Sequence, residues 1–410
     1  MTPAAKPIAP TPRPAPEARG AAWPATLAET LPHDHAEATL VGRVWDPAAP
    51  GPSPVLVTGE TVYDLSHVYP TVSDLMTAED PAAAARASAG APLGATEAVL
   101  DATMRGDRRS PTFLSPVDLQ CVKAAGVTFA VSMIERVIEE RARGNAEEAE
   151  RVRAQVLGVI GGDLGAIRPG SAEASKLQEY LVEQGLWSQY LEVGIGPDAE
   201  IFTKCPVLAS VGTGSEIGVL STSNWNNPEP EIALIVDRNG RILGATLGND
   251  LNLRDVEGRS ALLLPKAKDN TASGSLGPFI RLFDASFSLD DVRRAEVRLR
   301  VDGADGFELD ARSDMTQISR DPADLVRQLI GPQHQYPDGA ALYLGTLFAP
   351  TADRGEVGAG FTHHVDDIVR ISSPTLGTLV NRVAHSETCA PWEFGVGALM
   401  RNLARRELLR

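Results

Sequence analysis

One stretch of this 410-residue chain constrains its fold more than any other: NPEPEIALIVDRNGRILGATLGNDLNLRD, residues 227–255. Two apolar runs rich in Ile, Leu and Val flank Asn239-Gly240, the dipeptide favoured in two-residue hairpin turns that need positive φ. The pattern predicts an antiparallel hairpin. With Asn239 and Gly240 as the turn, Arg238 opposes Arg241 and every opposed pair of residue numbers sums to 479, which sets Asp250 across from Glu229. Strand side chains alternate, so Glu229, Glu231 and their opposed partners share one face.

Three carboxylates brought together in this way repel one another unless a cation sits among them. A set of oxygen ligands alone favours Mg²⁺, Mn²⁺ or Ca²⁺ over zinc. Few protein ligands, with room left for water and substrate, suit Mg²⁺ best, with Mn²⁺ as a substitute. A metal held by Glu229, Glu231 and Asp250 chelates the adjacent carboxylate and carbonyl of a 2-oxo acid and makes its C3 proton removable. An exposed acidic edge without metal is the alternative that spacing leaves open.

The rest of the chain narrows the setting. Its 54 acidic against 38 basic residues give a net charge of −16, which argues against nucleic acid and anionic membrane partners. Cys121, Cys205 and Cys389 lie too far apart for a zinc or disulfide pattern and read as reduced thiols of a cytoplasmic protein. No apolar run reaches the length of a membrane span. Residues 1–28 read as a disordered Pro/Ala-rich tail, residues 29–115 as a small β-rich N-terminal domain, and residues 116–410 as an α+β catalytic domain. Within the last, Ser132 to Ile160 and Lys176 to Tyr190 carry helical patterns. VGTGSEIG (211–218) and the glycines between Gly158 and Gly165 fail the dinucleotide-loop spacing or context and read as loops.

Glu229-Pro230-Glu231 followed by NDLNLRD (249–255) resembles the fumarylacetoacetate hydrolase superfamily, whose mark is a Glu-x-Glu pair and an Asn-Asp-x-Ser-x-Arg-Asp segment. GVTFAVSMIE, AKDNTAS and Leu344-Gly345-Thr346 extend the likeness from about Val117 to Val383. The resemblance implies a β-rich catalytic domain of that type, with the two glutamates and Asp250 as metal ligands. It places Lys268 against the bound 2-oxo acid, Glu135 on a helical lid, Thr346 on the substrate carboxylate and Glu257 toward the substrate. It makes Arg254 and Asp255 a supporting pair, and it implies a homodimer or a tetramer built from dimers.

Ser132 stands where the superfamily's hydrolases carry a water-activating His. Serine is no general base near neutral pH, so hydrolysis of a carbon-carbon bond loses ground. GVTFAVSMIERVIEERARG, WSQYLEVGIGPDAEIFTK and QHQYPDG resemble instead the sugar-acid dehydratase branch. That likeness implies loss of water from a 2-keto-3-deoxypentonate of the D-xylonate type, giving 2-oxoglutarate semialdehyde. Lys268 and Glu135 are then the acid-base pair, with Lys268's pKa expected to fall through burial beside a metal. Ser132 and His334 join Glu257 and Thr346 as candidate substrate contacts. The rivals are an acylpyruvase-like hydrolase and a metal-binding protein without catalysis.

Overall fold

A computed structural model describes residues 25–129, 133, 167–185, 187–346, 350, 352–354 and 360–409. The expected tail up to Pro24, most of the Ser132 to Ile160 helix and the glycines at 158–165 lie outside the described residues, as do Ser132 and Glu135.

The early strands are β1 (Leu40–Asp46), β2 (Gly51–Val57), β3 (Thr61–Asp64), β4 (Pro92–Ala95) and β5 (Thr112–Phe113). The central part adds β6 (Cys121–Gly126), β7 (Glu200–Cys205), β8 (Ser215–Val219), β9 (Asn226–Asn227), β10 (Pro230–Val236), β11 (Ile242–Asp250), β12 (Asn252–Leu253) and β13 (Gly274–Leu282). The chain closes with β14 (Glu296–Asp302), β15 (Glu308–Asp314), β16 (Ala340–Tyr343), β17 (Ile368–Ser373) and β18 (Gly377–His385).

Eleven strands form one sheet, ordered β4-β3-β2-β1-β13-β11-β10-β16-β6-β7 with β5 beside β1. A second sheet runs β15-β14-β17-β18-β8, and β9 pairs with β12. The strands before residue 115 therefore continue the main sheet, because Leu40 and Val41 pair with Arg281 and Ile280.

In β10, even-numbered Ile232, Leu234 and Val236 pack with Val297, Leu299, Val301, Val369 and Ile371 of the second sheet. Odd-numbered Ala233 and Ile235 join a separate cluster with Val41, Leu56, Leu75 and Leu276. Both faces are thus covered, which is why β10 reads as an unbroken apolar run, without the alternation of a half-exposed strand. The second sheet shows the alternating case: Val297, Leu299 and Val301 point inward, while Arg298 and Arg312 meet Asp310 and Glu296 on the open face.

The hairpin forms, with a different turn. Gly240 N–H donates to the Asp237 carbonyl at 3.0 Å and Asp237 N–H to the Arg241 carbonyl at 3.0 Å, so the loop is closed by Asp237 and Arg241. Gly240 takes φ 82°, the left-handed conformation that lets a type I turn end in a bulge. Val236 then pairs with Ile242, one out of the expected register. A second irregularity beyond Ile235 restores it: Ile235 meets Gly244 and Pro230 meets Asn249.

Two helices, Ala172–Glu183 and Gln189–Ile195, occupy the predicted Lys176 to Tyr190 segment, separated at Gly185 (φ 66°). The N-terminal region, expected to be β-rich, also holds helices Leu27–Thr30, Val72–Leu75, Pro81–Ala87 and Thr96–Arg105. Short helices carry too few turns for a periodic signal; their capping residues Thr26, Thr71 and Asp80 are the traces left in the sequence.

Candidate metal centre and active site

Asp250 lies beside Glu229, its N–H donating to the Glu229 carbonyl at 3.0 Å. Asn249 supports the same corner by accepting the Glu229 N–H at 3.0 Å through its side-chain oxygen. One ligand atom from each of Glu229, Glu231 and Asp250 lies within 4.8 Å of the other two, and all three residues are buried. This is the grouping that the 479 register predicts.

Lys268 ends the short helix Leu264–Lys268 and sends its ammonium into the carboxylates. Nζ is 3.0 Å from Asp250 Oδ2 and bonds Glu229 Oε2. Burial alone pushes Lys268 toward the neutral form, but the charges of Asp250, Glu229 and Glu257 outweigh it and hold the ammonium above its ordinary pKa. The lowering expected of Lys268 concerns the site with a metal bound; by themselves the carboxylates hold its charge.

Burial, then Asp250 and Glu229, pushes Glu231 well above the usual carboxylate range. Glu231 Oε2 accepts the Gly345 N–H at 2.7 Å. Burial raises Asp250 too, but Lys204 and Lys268 bring it below its ordinary value.

Lys204, on β7, was not among the expected site residues. It is fully buried, 2.8 Å from Asp250 Oδ1, and donates to the carbonyls of Leu251 (2.9 Å) and Lys268 (2.7 Å). Burial and the repulsion of Lys268 lower its pKa against the attraction of Asp250. The only trace in sequence is a lone lysine in the run EIFTKC, which by itself reads as a surface residue.

Thr346 follows Gly345 at the start of β10, where Leu344 N–H donates to the Ile232 carbonyl at 3.0 Å. Gly345 is required there: φ is 94°, and a Cβ would fall 2.0 Å from Thr128 Oγ1. Glu257 is close enough for its charge to act on Lys268, and it accepts the Asn252 side-chain N–H at 2.5 Å. Arg254 stacks 4.4 Å from the Trp225 ring. Asp255 caps the preceding loop through Ser223 Oγ (2.7 Å) and Asn224 N–H (3.0 Å), a supporting task.

His334 is not brought to the carboxylates within this chain. It is exposed in a turn before β16, whose first residue, Ala340, pairs with Val236 at the hairpin end of β10, opposite the Glu231 end. Among the adjacent histidines, His363 is buried against Asp367 (3.0 Å), and the exposed His364 lies 3.3 Å from Asp305 Oδ2.

The donor set fits a hard divalent cation. Its ligands are carboxylate oxygens on backbone fixed by a sheet, and an ammonium already lies among them, showing that the pocket selects positive charge.

No family model matches the chain. The chain is 32% identical over 187 residues to 2-dehydro-3-deoxy-D-arabinonate dehydratase of Saccharolobus solfataricus, covering 45% of this chain and 58% of the relative. It is 28% identical over 201 residues to a probable 2-keto-3-deoxyxylonate dehydratase of Haloferax volcanii, covering 49% and 65%. The matches thus span about three fifths of the length of these relatives.

Among solved structures, 2-keto-3-deoxy-D-arabinonate dehydratase in its apo form superposes with a TM-score of 0.58 at 20% identity, over 84% of this chain and 99% of that one. The same enzyme complexed with magnesium and 2,5-dioxopentanoate gives 0.57 at 21% identity, over 84% and 99%. The chain therefore has the fumarylacetoacetate hydrolase type of fold, and in sequence it is similar to dehydratases of 2-keto-3-deoxypentonates.

Proposed function

We propose that this protein is a Mg²⁺-dependent dehydratase that converts 2-keto-3-deoxy-D-xylonate to 2-oxoglutarate semialdehyde (2,5-dioxopentanoate) and water. The observation that carries the reading is the buried Glu229, Glu231 and Asp250 set with Lys268 lodged in it. The substrate names of the two relatives support the choice. Dehydrating D-arabinonate or D-xylonate across C2 and C3 erases both of those stereocentres and leaves only C4, which is D in each, so the two names describe one molecule.

Glu229, Glu231 and Asp250 would hold Mg²⁺, or Mn²⁺ in its place, which supplies Lewis-acid polarisation of the adjacent carboxylate and oxo oxygens of the substrate. Lys268, once its carboxylate partners are engaged elsewhere, takes a proton from C3. Its buried Nζ, fixed at the end of a helix, needs little reorganisation to do so. Glu135, outside the described residues, gives the proton with which the C4 hydroxyl leaves as water. The unsaturated 2-oxo acid then isomerises to the C5 aldehyde. Thr346 binds the carboxylate end, Glu257 accepts a hydrogen bond from a distal hydroxyl, and Ser132 is a further candidate substrate contact. Residues 116–410 form the catalytic part.

Proton NMR of the purified protein with Mg²⁺ and 2-keto-3-deoxy-D-xylonate tests this, alongside a chelator control and the L-arabinonate-derived isomer. Metal-dependent 2-oxoglutarate semialdehyde supports the assignment, and the isomer shows how strictly C4 is read. Absence of turnover with both compounds overturns it in favour of acylpyruvate cleavage.

A further inference from the structure

Lys204 touches the two halves of the centre at once. Its Nζ donates to the Leu251 carbonyl (2.9 Å), next to Asp250, and to the Lys268 carbonyl (2.7 Å), which also accepts Ser273 Oγ at 2.7 Å. The two directed bonds go to backbone. The third contact, 2.8 Å to Asp250 Oδ1, is an ion pair, and a carboxylate oxygen with two lone pairs keeps one for another ligand. The side chain is wholly buried, and its ammonium reaches from edge strand β7 across to the end of β11 and to the end of the Leu264–Lys268 helix.

We propose that Lys204 is a positioning residue for this centre, fixing how the Asp250 carboxylate faces the cation and where the Lys268 side chain starts. The inference rests on the reading of the site as a divalent metal centre. Groups that orient metal ligands without binding metal typically matter about 10- to 100-fold in affinity. For Lys204 this effect opposes simple electrostatics. A lysine acting through charge alone repels the cation, so removing it would tighten binding; a positioning lysine, when removed, leaves Asp250 free to turn and the backbone of Lys268 untethered, so binding weakens.

The test uses the full-length, metal-free protein as wild type, Lys204→Met and Lys204→Gln. Mn²⁺ is titrated in and the free ion followed by electron paramagnetic resonance, with circular dichroism and cooperative melting to establish folding. The expected result is one Mn²⁺ per wild-type chain and about tenfold or greater weakening in the folded variants. Lys204→Gln, which keeps N–H donors, should lose less than Lys204→Met. If only one variant folds, that variant decides. Affinity within twofold of wild type, or tighter, overturns the inference alone, and failure of both variants to fold assigns Lys204 to the fold and overturns it too. A wild-type chain that binds no Mn²⁺ overturns the metal-centre reading, and this inference with it.

Discussion

Replacing Lys268 with methionine separates its two tasks, as a cation among the carboxylates and as a base. Lys204 and Lys268 together offset the charges of Glu229 and Asp250, and the substitution removes one of those two ammonium groups. Removing one member of a buried ion pair typically costs about 3–5 kcal/mol. At roughly 1 °C per kcal/mol for a chain of this size, the metal-free variant should melt about 3–6 °C below wild type. Mg²⁺ no longer has to displace an ammonium, so it should stabilise the variant more than wild type. Turnover should fall by about 10²–10⁴, the usual worth of a positioned acid or base. Differential scanning calorimetry with and without Mg²⁺, beside the NMR assay, reads all three quantities. A metal-free melting point within 2 °C of wild type, or a larger Mg²⁺ effect on wild type, would refute the account of Lys268 as the stand-in cation.

Three further outcomes are expected. Gly345→Ala forces a Cβ onto Thr128 Oγ1 and strains a positive φ, so the Glu231 contact should loosen and activity drop more than tenfold; near-normal activity shows that the backbone yields there. Leu234→Ala empties a site between the two sheets and should cost about 2–5 kcal/mol in urea unfolding, with an unchanged m-value. Asp367 is raised by burial, but His363 and Arg354 bring it below its ordinary pKa. A depressed carboxylate gives stability that is present above the unfolded value of about 3.9 and is lost as pH falls through the folded value. Melts at pH 7, 4 and 3 should therefore show a shallower acid loss in Asp367→Asn than in wild type, and equal slopes would remove Asp367 as the cause.

The carboxylate grouping was legible because a strand's period of two is rigid: once Asn239-Gly240 marks the turn, Glu229 and Asp250 have little freedom. Even so, the register holds at the site through two irregularities that cancel, and sequence alone showed neither the bulge at Gly240 nor the one beyond Ile235. Lys204 was hidden for a different reason. A lysine in a short strand is ordinarily solvated, and its burial arises from tertiary contacts with Leu251 and Lys268, which are 47 and 64 residues away. His334 was drawn in by its neighbours in sequence, whereas strand direction carries it to the far end of β10. For Lys268, burial beside a metal was the setting legible in sequence, whereas its pairing with Asp250 and Glu229 and the nearby charge of Glu257 came only with the fold.

The pairing of β1 with β13 gives the N-terminal strands a protective office. β13 lies directly beside β11, so without β1 its outer row of backbone N–H and C=O groups would become an open edge one strand away from Asp250. Open edges recruit strands from other chains. Excising residues 25–115 would thus do more than shorten the protein: it would turn the flank of the carboxylate-bearing hairpin into a template for self-association, and such a fragment should be recovered as aggregate.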